Sequence, residues 1–162
     1  MQHMPQVEAA RCGERFDYRP VFAALAPRMR AADLTVVNLE TTLTRRGRYT
    51  GYPLFRSPVA LADALRDAGV DVAVLANNHC CDGGAEGIRT TVAELDRCGI
   101  LHTGVFADSA DYRKNNPLYL NRCGMRLAIV NYTYGTNGMP VPEGTIVNLI
   151  DTVRMAADLA EA

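Results

Sequence analysis

The sequence contains a single lysine, no long apolar run and no excess of charge of one sign, and each absence excludes a class of protein. The formal net charge is −1 at pH 7, which argues against broad nucleic-acid binding because that activity requires a basic stripe. No run approaches the roughly 18 apolar residues of a membrane-spanning helix, and residues 1–5 lack the basic and apolar regions of a signal peptide. We therefore expect no nucleic-acid partner and no membrane segment in this chain, and the compartment stays open.

The cysteines lack the pattern of a disulfide framework or a zinc site. The five cysteines are odd in number and irregularly spaced, and no C-x-x-C occurs, so at least one thiol stays unpaired. The adjacent pair Cys80 and Cys81 could bind a metal or oxidise, but small buried thiols are the favoured interpretation.

The composition that remains is that of an ordinary globular protein, with 48% hydrophobic and 22% charged residues. The length of 162 residues predicts one domain, 1–162, with a real core. The positive charge is almost entirely arginine, which favours bidentate contacts with carboxylates or phosphates, although a compositional bias explains it equally well. Arg45, Arg46 and Arg48 lie in a predicted long loop, 41–56. A solvated loop is the default interpretation, and binding of an anionic substrate is the alternative.

Apolar periodicity and turn residues predict alternating helices and strands. The expected helix starts are Asp17, Ser57-Pro58 and Asn148, with a helical turn capped by Asp108. The predicted elements are helices over about 17–29, 58–68, 85–98 and 149–162, strands at 34–37, 70–75 and 100–103, and a hairpin over 118–132. This order predicts an α/β fold with a mainly parallel sheet, helices on its faces and an antiparallel addition.

Polar side chains follow two of the predicted strands. Asn38 and Glu40 end the first, and Asn78 and His79 end the second, with Asp82 three residues on. Because ligands gather at the carboxyl ends of parallel strands, we expect these side chains to meet at one edge of the sheet. A carboxylate, amide oxygens and an imidazole suit a divalent ion such as Mn, Mg, Fe or Zn.

Structural interpretations of the same residues remain open. A strand-end asparagine also caps turns, Glu40 also fits a solvated loop, and for Asp82 a turn before a helix is favoured over direct ligation. His102 lies in or beside a predicted strand without an evident acidic partner, and His3 lies near the chain end, so structural roles are favoured for both.

The motifs at the two strand ends resemble those of a known family. The segments that carry the resemblance are Asp33–Glu40, Leu75–His79 with Asp82-Gly83-Gly84, and Tyr132–Gly138. Together they are similar to the CapA capsule-synthesis family, also called the poly-gamma-glutamate biosynthesis family. The likeness covers nearly the whole chain, and the paired strand-end motifs at this spacing are specific.

The resemblance implies a calcineurin-like metallophosphoesterase fold, an α/β/β/α sandwich around a two-metal site. By that likeness, Glu40 and Asn78 are metal ligands, and Asn38 is a ligand or lies just outside the ligand shell. His79 is implied as the acid or oxyanion stabiliser, and Asp82 as the residue that orients His79. The implied substrate is a phosphoester or an anionic polymer, and the implied cofactor is a pair of divalent ions.

The resemblance also implies further ligands beyond this chain. The family has a strand ending in Gly-Asp before the segment that resembles residues 1–5, and histidine-bearing strands after the last helix, so the chain is expected to be incomplete at both ends. Three hypotheses follow: a metal-dependent hydrolase-type domain acting in capsule or poly-gamma-glutamate biosynthesis or export, a non-catalytic component that binds an anionic polymer, and an inactive fragment.

Overall fold

The computed structural model describes all residues of the chain, 1–162, as a mixed α/β protein. Its helices are α1 Met4–Ala9, α2 Arg19–Phe22, α3 Ala26–Ala31, α4 Ala60–Ala68, α5 Gly84–Cys98, α6 Ser109–Asn115 and α7 Thr152–Glu161. Its strands are β1 Arg11–Cys12, β2 Arg15–Phe16, β3 Val36–Asn38, β4 Thr42–Thr44, β5 Arg56–Pro58, β6 Val72–Val74, β7 Leu101–Thr103, β8 Val105–Phe106, β9 Leu118–Arg122, β10 Met125–Ile129 and β11 Ile146–Val147.

A three-stranded parallel sheet, in the order β3-β6-β7, forms the centre of the molecule. In its register, Val72 of β6 lies between Val36 and Leu101, and Val74 lies between Asn38 and Thr103. Helices α4 and α5 lie in the connections between these strands, as parallel pairing requires. The predicted parallel sheet is therefore confirmed, and the carboxyl ends of β3 and β6 are neighbours.

Helix α5 supplies the main apolar face that covers this sheet. Its side chains Ile88, Val92 and Leu95 recur at helical spacing and are at most 5% exposed. The helix ends at Gly99, whose φ of +71° is the left-handed conformation that a helix stop requires. The sequence predicts this helix to within one residue because periodicity and stop signal agree.

Four further sheets have two strands each, pairing β1 with β2, β4 with β5, β9 with β10, and β8 with β11. The β9–β10 pair is the predicted antiparallel hairpin. Its turn is Cys123-Gly124, where both residues have positive φ, as a two-residue turn between twisted strands requires. The mixed α/β class is thus confirmed, with the strands divided among five small sheets.

Two predicted helices begin elsewhere in the structure. The helix predicted over 17–29 is split into α2 and α3, because Pro27 has no backbone N–H and starts a new helix instead of continuing the old one. Ser57-Pro58 belongs to β5 rather than to a helix start, since the Ser57 hydroxyl bonds to Thr41 Oγ1 at 2.9 Å. Helix α4 begins at Ala60.

The last helix is also capped differently from the prediction. Asp151 is the N-cap, and its Oδ1 accepts the backbone N–H groups of Val153 and Arg154 at 2.9 and 3.1 Å. Asn148, the predicted cap, is fully buried and donates to Asn116 Oδ1 at 2.8 Å. The cap predicted at Asp108 is confirmed. None of the helices has the length and apolar content needed to cross a membrane.

Candidate functional site

The two polar strand ends are joined by backbone pairing. Asn38 is the register partner of Val74, and the Leu39 N–H donates to Val74 O at 3.1 Å. Leu39 is buried, whereas Asn38 is exposed and Glu40 is half-buried. This alternation places Asn38 and Glu40 on the side of the strand opposite to the core.

Asn77 fastens the end of β6 to the end of β3. Its Nδ2 donates to Asn38 Oδ1, Leu39 O and Leu75 O at 3.0–3.1 Å. Its Oδ1 accepts the backbone N–H of His79 at 3.0 Å. One buried amide therefore fixes both the spacing of the strands and the turn that carries His79.

His79 and Asp82 form a buried hydrogen-bonded pair. The His79 Nδ1 to Asp82 Oδ2 distance is 2.8 Å, and the two residues are 6% and 1% exposed. The same Oδ2 accepts the backbone N–H of Phe55 at 2.6 Å. Because an ionised carboxylate only accepts, the shared proton is assigned to Nδ1 of His79, and Nε2 is left as the acceptor in the neutral ring.

The loop predicted over 41–56 contributes the support for this pair. The Phe55 ring stands edge-on to the His79 imidazole, with centroids 4.6 Å apart. On the other side Arg56 donates from Nε and Nη2 to the backbone oxygen of Asp82 at 3.1 and 3.0 Å. Asp82 and Phe55 thus contact the imidazole directly, and Arg56 fixes the backbone of Asp82.

A second pair of asparagines faces the free side of the imidazole. Asn137 Nδ2 lies 3.4 Å from His79 Nε2, and Asn137 Oδ1 accepts from Asn78 Nδ2 at 3.3 Å. Asn137 has φ +53°, a left-handed conformation that asparagine tolerates better than most residues. Asn78 Oδ1 has no hydrogen-bond partner in the protein and is half-buried.

Glu40 makes no hydrogen bond and no ion pair with any residue of the chain. The structure therefore links four of the five predicted site residues into one network, in which Asn38 joins through Asn77, and Asn78, His79 and Asp82 join through direct contacts or Asn137. Glu40 lies two residues beyond Asn38 at the same strand end, outside that network.

The oxygen donors at this edge match part of a divalent-ion site. Glu40 offers an unpaired carboxylate, and Asn78 offers an unpaired amide oxygen; both are hard donors that Mg²⁺ and Mn²⁺ accept. Asn38 Oδ1 already accepts one hydrogen bond. No group of three or more His, Cys, Asp or Glu side chains in the chain is placed to hold a metal ion. These residues thus suit one ion in part, and a pair of ions requires further ligands.

The sequence gives no separate role to three residues that build this site. Asn77, Phe55 and Asn131 each make contacts with residues far away in the sequence; Asn131 Oδ1, for example, accepts the Ala76 N–H at 2.6 Å. Only the position of Asn77 between a strand and His79 offered a signal. Asn137 belongs to the Tyr132–Gly138 segment that carries the family resemblance, but its contact with the imidazole depends on a loop conformation that the sequence does not predict.

The other histidines and the paired cysteines lie elsewhere. His3 stands edge-on to the far side of Phe55, with ring centroids 5.1 Å apart. His102 is buried in β7, with Asp111 and Asp96 oxygens 3.5 and 3.6 Å from its Nε2. All five cysteines are free thiols, and Cys80 and Cys81 are buried, as the favoured interpretation predicted. Burial and the Cys81 contact raise the pKa of Cys80.

Known proteins are similar to this chain over much of its length. The uncharacterized protein y4sH of Sinorhizobium fredii is 35% identical over 95 residues, which is 54% of this chain and 21% of that protein. A protein of Mycobacterium tuberculosis named "Probable polyglutamine synthesis accessory protein" is 37% identical over 90 residues, which is 52% of this chain and 23% of that protein. The matched residues thus make up about a fifth of the length of these relatives.

A family model described as "Bacterial capsule synthesis protein PGA_cap" matches residues 1–160. This range contains both strand ends, the His79–Asp82 pair and the Asn137 loop, and it confirms the resemblance drawn from the motifs. The chain belongs to this family of bacterial capsule synthesis proteins.

Proposed function

We propose that this chain is part of a metal-dependent hydrolase-type domain of metallophosphoesterase-like α/β/β/α fold, acting on a phosphoester or related bond in capsule or poly-gamma-glutamate biosynthesis or export. The observation that carries the proposal is the buried His79–Asp82 pair, which follows β6 next to the strand end that bears Asn38 and Glu40. Family membership and the polyglutamine-synthesis name of the mycobacterial relative support the biological setting.

In this proposal His79 is the general acid. Asp82 holds the ring through Nδ1 and stabilises the positive charge of the protonated imidazole. The second proton is then carried on Nε2, the nitrogen that faces Asn137, and passes from Nε2 to the leaving oxygen as the bond to that oxygen breaks. The same N–H can instead stabilise negative charge on the transferred group.

Glu40 and Asn78 are proposed as ligands of a divalent ion, with Asn38 as a weaker candidate ligand or a nearby support. A divalent ion at these oxygens supplies positive charge that attracts a phosphate or carboxylate and lowers the pKa of bound water. Asn77 is a positioning residue, because it sets the separation of the strand ends on which these ligands lie.

Turnover of a generic phosphodiester by the purified protein tests the proposal. With bis(p-nitrophenyl) phosphate and added Mn²⁺, Mg²⁺, Zn²⁺ or Fe²⁺, His79→Ala should lower kcat/KM by about 100-fold or more while the metal content, measured by mass spectrometry, is unchanged. Glu40→Gln should lower the metal content itself. Glu143→Gln, which removes an exposed carboxylate in a distant loop, is the matched control.

Equal turnover in wild type and His79→Ala would rule out the assigned acid. Absence of both metal and turnover in the wild type would favour the inactive-fragment hypothesis. Metal uptake that survives Glu40→Gln unchanged would remove Glu40 from the proposed ligand set without affecting the role of His79.

A second candidate function is binding of an anionic polymer without turnover. The arginines of the predicted 41–56 loop favour this function, because the side chains of Arg46 and Arg48 have no hydrogen-bond or ion-pair partner in the protein. Retention of a poly-gamma-glutamate chain by a wild type that hydrolyses no phosphoester would support this function over the first.

A further inference from the structure

A polar cavity of about 240 Å³ lies beside the candidate site, on the far side of Asp82. Arg46, Arg48 and Arg56 line it together with one carboxylate, Glu86. Its remaining lining is backbone and threonine from β4 and the start of α5, with a single apolar side chain. The cavity therefore carries an excess of two positive charges in a chain whose net charge is −1.

Two of these guanidinium groups are unpaired. Several other arginines of the chain form ion pairs with carboxylates, as in the Arg97–Glu94 and Arg122–Asp71 pairs. Arg46 and Arg48 make no side-chain hydrogen bond and no ion pair, and Glu86 is not within ion-pair distance of either. Arg56 uses Nε and Nη2 on the Asp82 oxygen and keeps Nη1 free. Unpaired guanidinium groups around one cavity attract an anion strongly, because each offers two parallel N–H donors.

On the α5 side the cavity is lined by two glycines, Gly83 and Gly87, and by Glu86. Gly83 is the N-cap of this 15-residue helix and provides no side-chain cap. A Cβ at Gly83 would lie 2.6 Å from Thr42 Oγ1 and 2.8 Å from Gly87 Cα, so only glycine fits. The close packing excludes a capping side chain at this position, and the positive end of the α5 helix dipole adds to the positive potential of the arginines.

The loop that carries Arg46 and Arg48 is fixed by two contacts of the residues that precede them. Arg45 pairs with the buried Glu94 of α5, with an Nε to Oε1 distance of 2.7 Å, and Thr44 Oγ1 donates to the backbone oxygen of Arg46 at 2.6 Å. Arg45 is thereby directed away from the cavity, while its neighbours line it. Of the arginines in the predicted 41–56 loop, Arg45 therefore has a structural role, whereas Arg46 and Arg48 line the polar cavity.

We infer that this cavity is a binding site for an oxyanion group, a carboxylate or a phosphate, carried by the polymer or substrate that the protein handles. The site goes beyond the proposed hydrolase function, because its anion affinity does not depend on proton transfer by His79. Arg56 lines this cavity and also donates to the backbone oxygen of Asp82, so it connects the cavity with the turn that carries His79.

Calorimetric titration with two probes, inorganic phosphate and a γ-linked glutamate hexamer, tests the inference at low ionic strength. The double variant R46Q/R48Q should weaken binding of at least one probe by about tenfold or more, since each charge-assisted contact is worth roughly tenfold. The double variant R113Q/R126Q, which removes two exposed arginines on α6 and β10, is the matched control for the loss of two charges. Glu86→Gln should tighten binding several-fold, a gain that a folding defect cannot produce.

A preference for the hexamer identifies a polymer carboxylate as the ligand, and a preference for phosphate identifies a phosphorylated one. Binding of neither probe by the wild type, or affinities in R46Q/R48Q equal to those of R113Q/R126Q, would overturn the inference. Loss of phosphodiester turnover in His79→Ala with anion affinity intact would separate this site from the hydrolase proposal.

Discussion

The central segment from Leu39 to Val105 and the C-terminal segment from 118 to 162 are held in place by different forces. All but three of the 21 residues of the buried apolar core lie in the central segment. In the C-terminal segment, by contrast, Val153 and Leu159 are 80% and 62% exposed. Burial of apolar surface therefore stabilises the centre and contributes little to the docking of α7.

A buried polar network fastens the C-terminal segment instead. Asp158 of α7, which is 6% exposed, accepts from Asn116 Nδ2 at 3.1 Å and from Tyr132 Oη. Asn148 continues the chain of contacts by donating to Asn116 Oδ1. Burial and the Asp158 contact raise the pKa of Tyr132, so the phenol stays protonated and donates at all ordinary pH values. Such networks tolerate the loss of a member poorly, because the remaining groups are left buried without partners.

The largest effect on the free energy of unfolding is expected from the truncation of a core side chain in the central segment. Leu95→Ala removes a fully buried side chain from α5 and should lower the free energy of unfolding by about 3 kcal/mol. Leu159→Ala removes the same atoms from the exposed face of α7 and should change it by less than about 0.5 kcal/mol. Urea denaturation of both variants measures the difference, and equal losses would contradict the contrast between the two segments.

The next effect is expected from the polar network. Asp158→Ala leaves the Tyr132 hydroxyl and an Asn116 N–H without their acceptor, at a cost of about 1–3 kcal/mol. Because only α7 and its neighbours depend on Asp158, hydrogen exchange should accelerate in 152–161 and stay unchanged in 84–98. Glu161→Ala, at the exposed end of the same helix, is the control. Uniform acceleration across both helices would show that the segments unfold as one.

Local sequence signals were sufficient to predict α5, the end of α4 and the strands β6 and β7 of the central segment, whereas β4 and β5 lie where a loop and a helix start were predicted. The Gly69 and Gly99 stops and the apolar spacing of α5 predict its helices because each signal acts on its own element. The C-terminal segment was predicted less well. Asn148 has the composition of a cap, but its burial against Asn116 is decided by tertiary packing, which outweighs local preference.

The residues of the candidate site also differ in how well the sequence predicts their placement. The strand ends that carry Asn38 and Asn78 follow from the order of the elements, since parallel neighbours place their carboxyl ends together. The contacts of the imidazole with Phe55 and Asn137 come from loops far away in the sequence. Their placement depends on backbone conformations that no periodicity encodes, so the sequence predicted the edge of the sheet but not the walls of the site.

His102 is a buried titratable residue of the central segment and predicts an effect of pH on stability that is smaller than the effects above. Both ring nitrogens are buried without a hydrogen-bond partner. Burial lowers the pKa of His102 below its usual 6.5, although Asp111 and Asp96 oppose the shift; Lys114 adds to it. The unfolded chain then binds the proton more readily than the native protein, so stability falls as the pH drops below 6.5 and levels off beneath the native pKa.

His102→Gln removes that titration while keeping a neutral polar side chain at the position. Urea denaturation between pH 7.5 and 5.5 should give a smaller loss of stability in the variant than in the wild type, because the difference isolates the contribution of His102. Parallel stability curves would show that His102 binds its proton equally well in both states, with the two aspartates cancelling the effect of burial.

The smallest effect is expected where the C-terminal segment reaches the candidate site, at Asn137. Asn137→Gly keeps the left-handed backbone, which glycine adopts freely, and removes the amide that faces His79 Nε2. Stability should change by less than about 0.5 kcal/mol, whereas the ¹⁵N shift of Nε2 should move and that of Nδ1, bonded to Asp82, should not. Asn121→Gly, in the exposed hairpin, controls for the general effect of glycine. If neither ring nitrogen responds, Asn137 does not contact the imidazole in solution, and the two segments are joined by other contacts, such as Asn131–Ala76, Arg122–Asp71 and the β8–β11 pair.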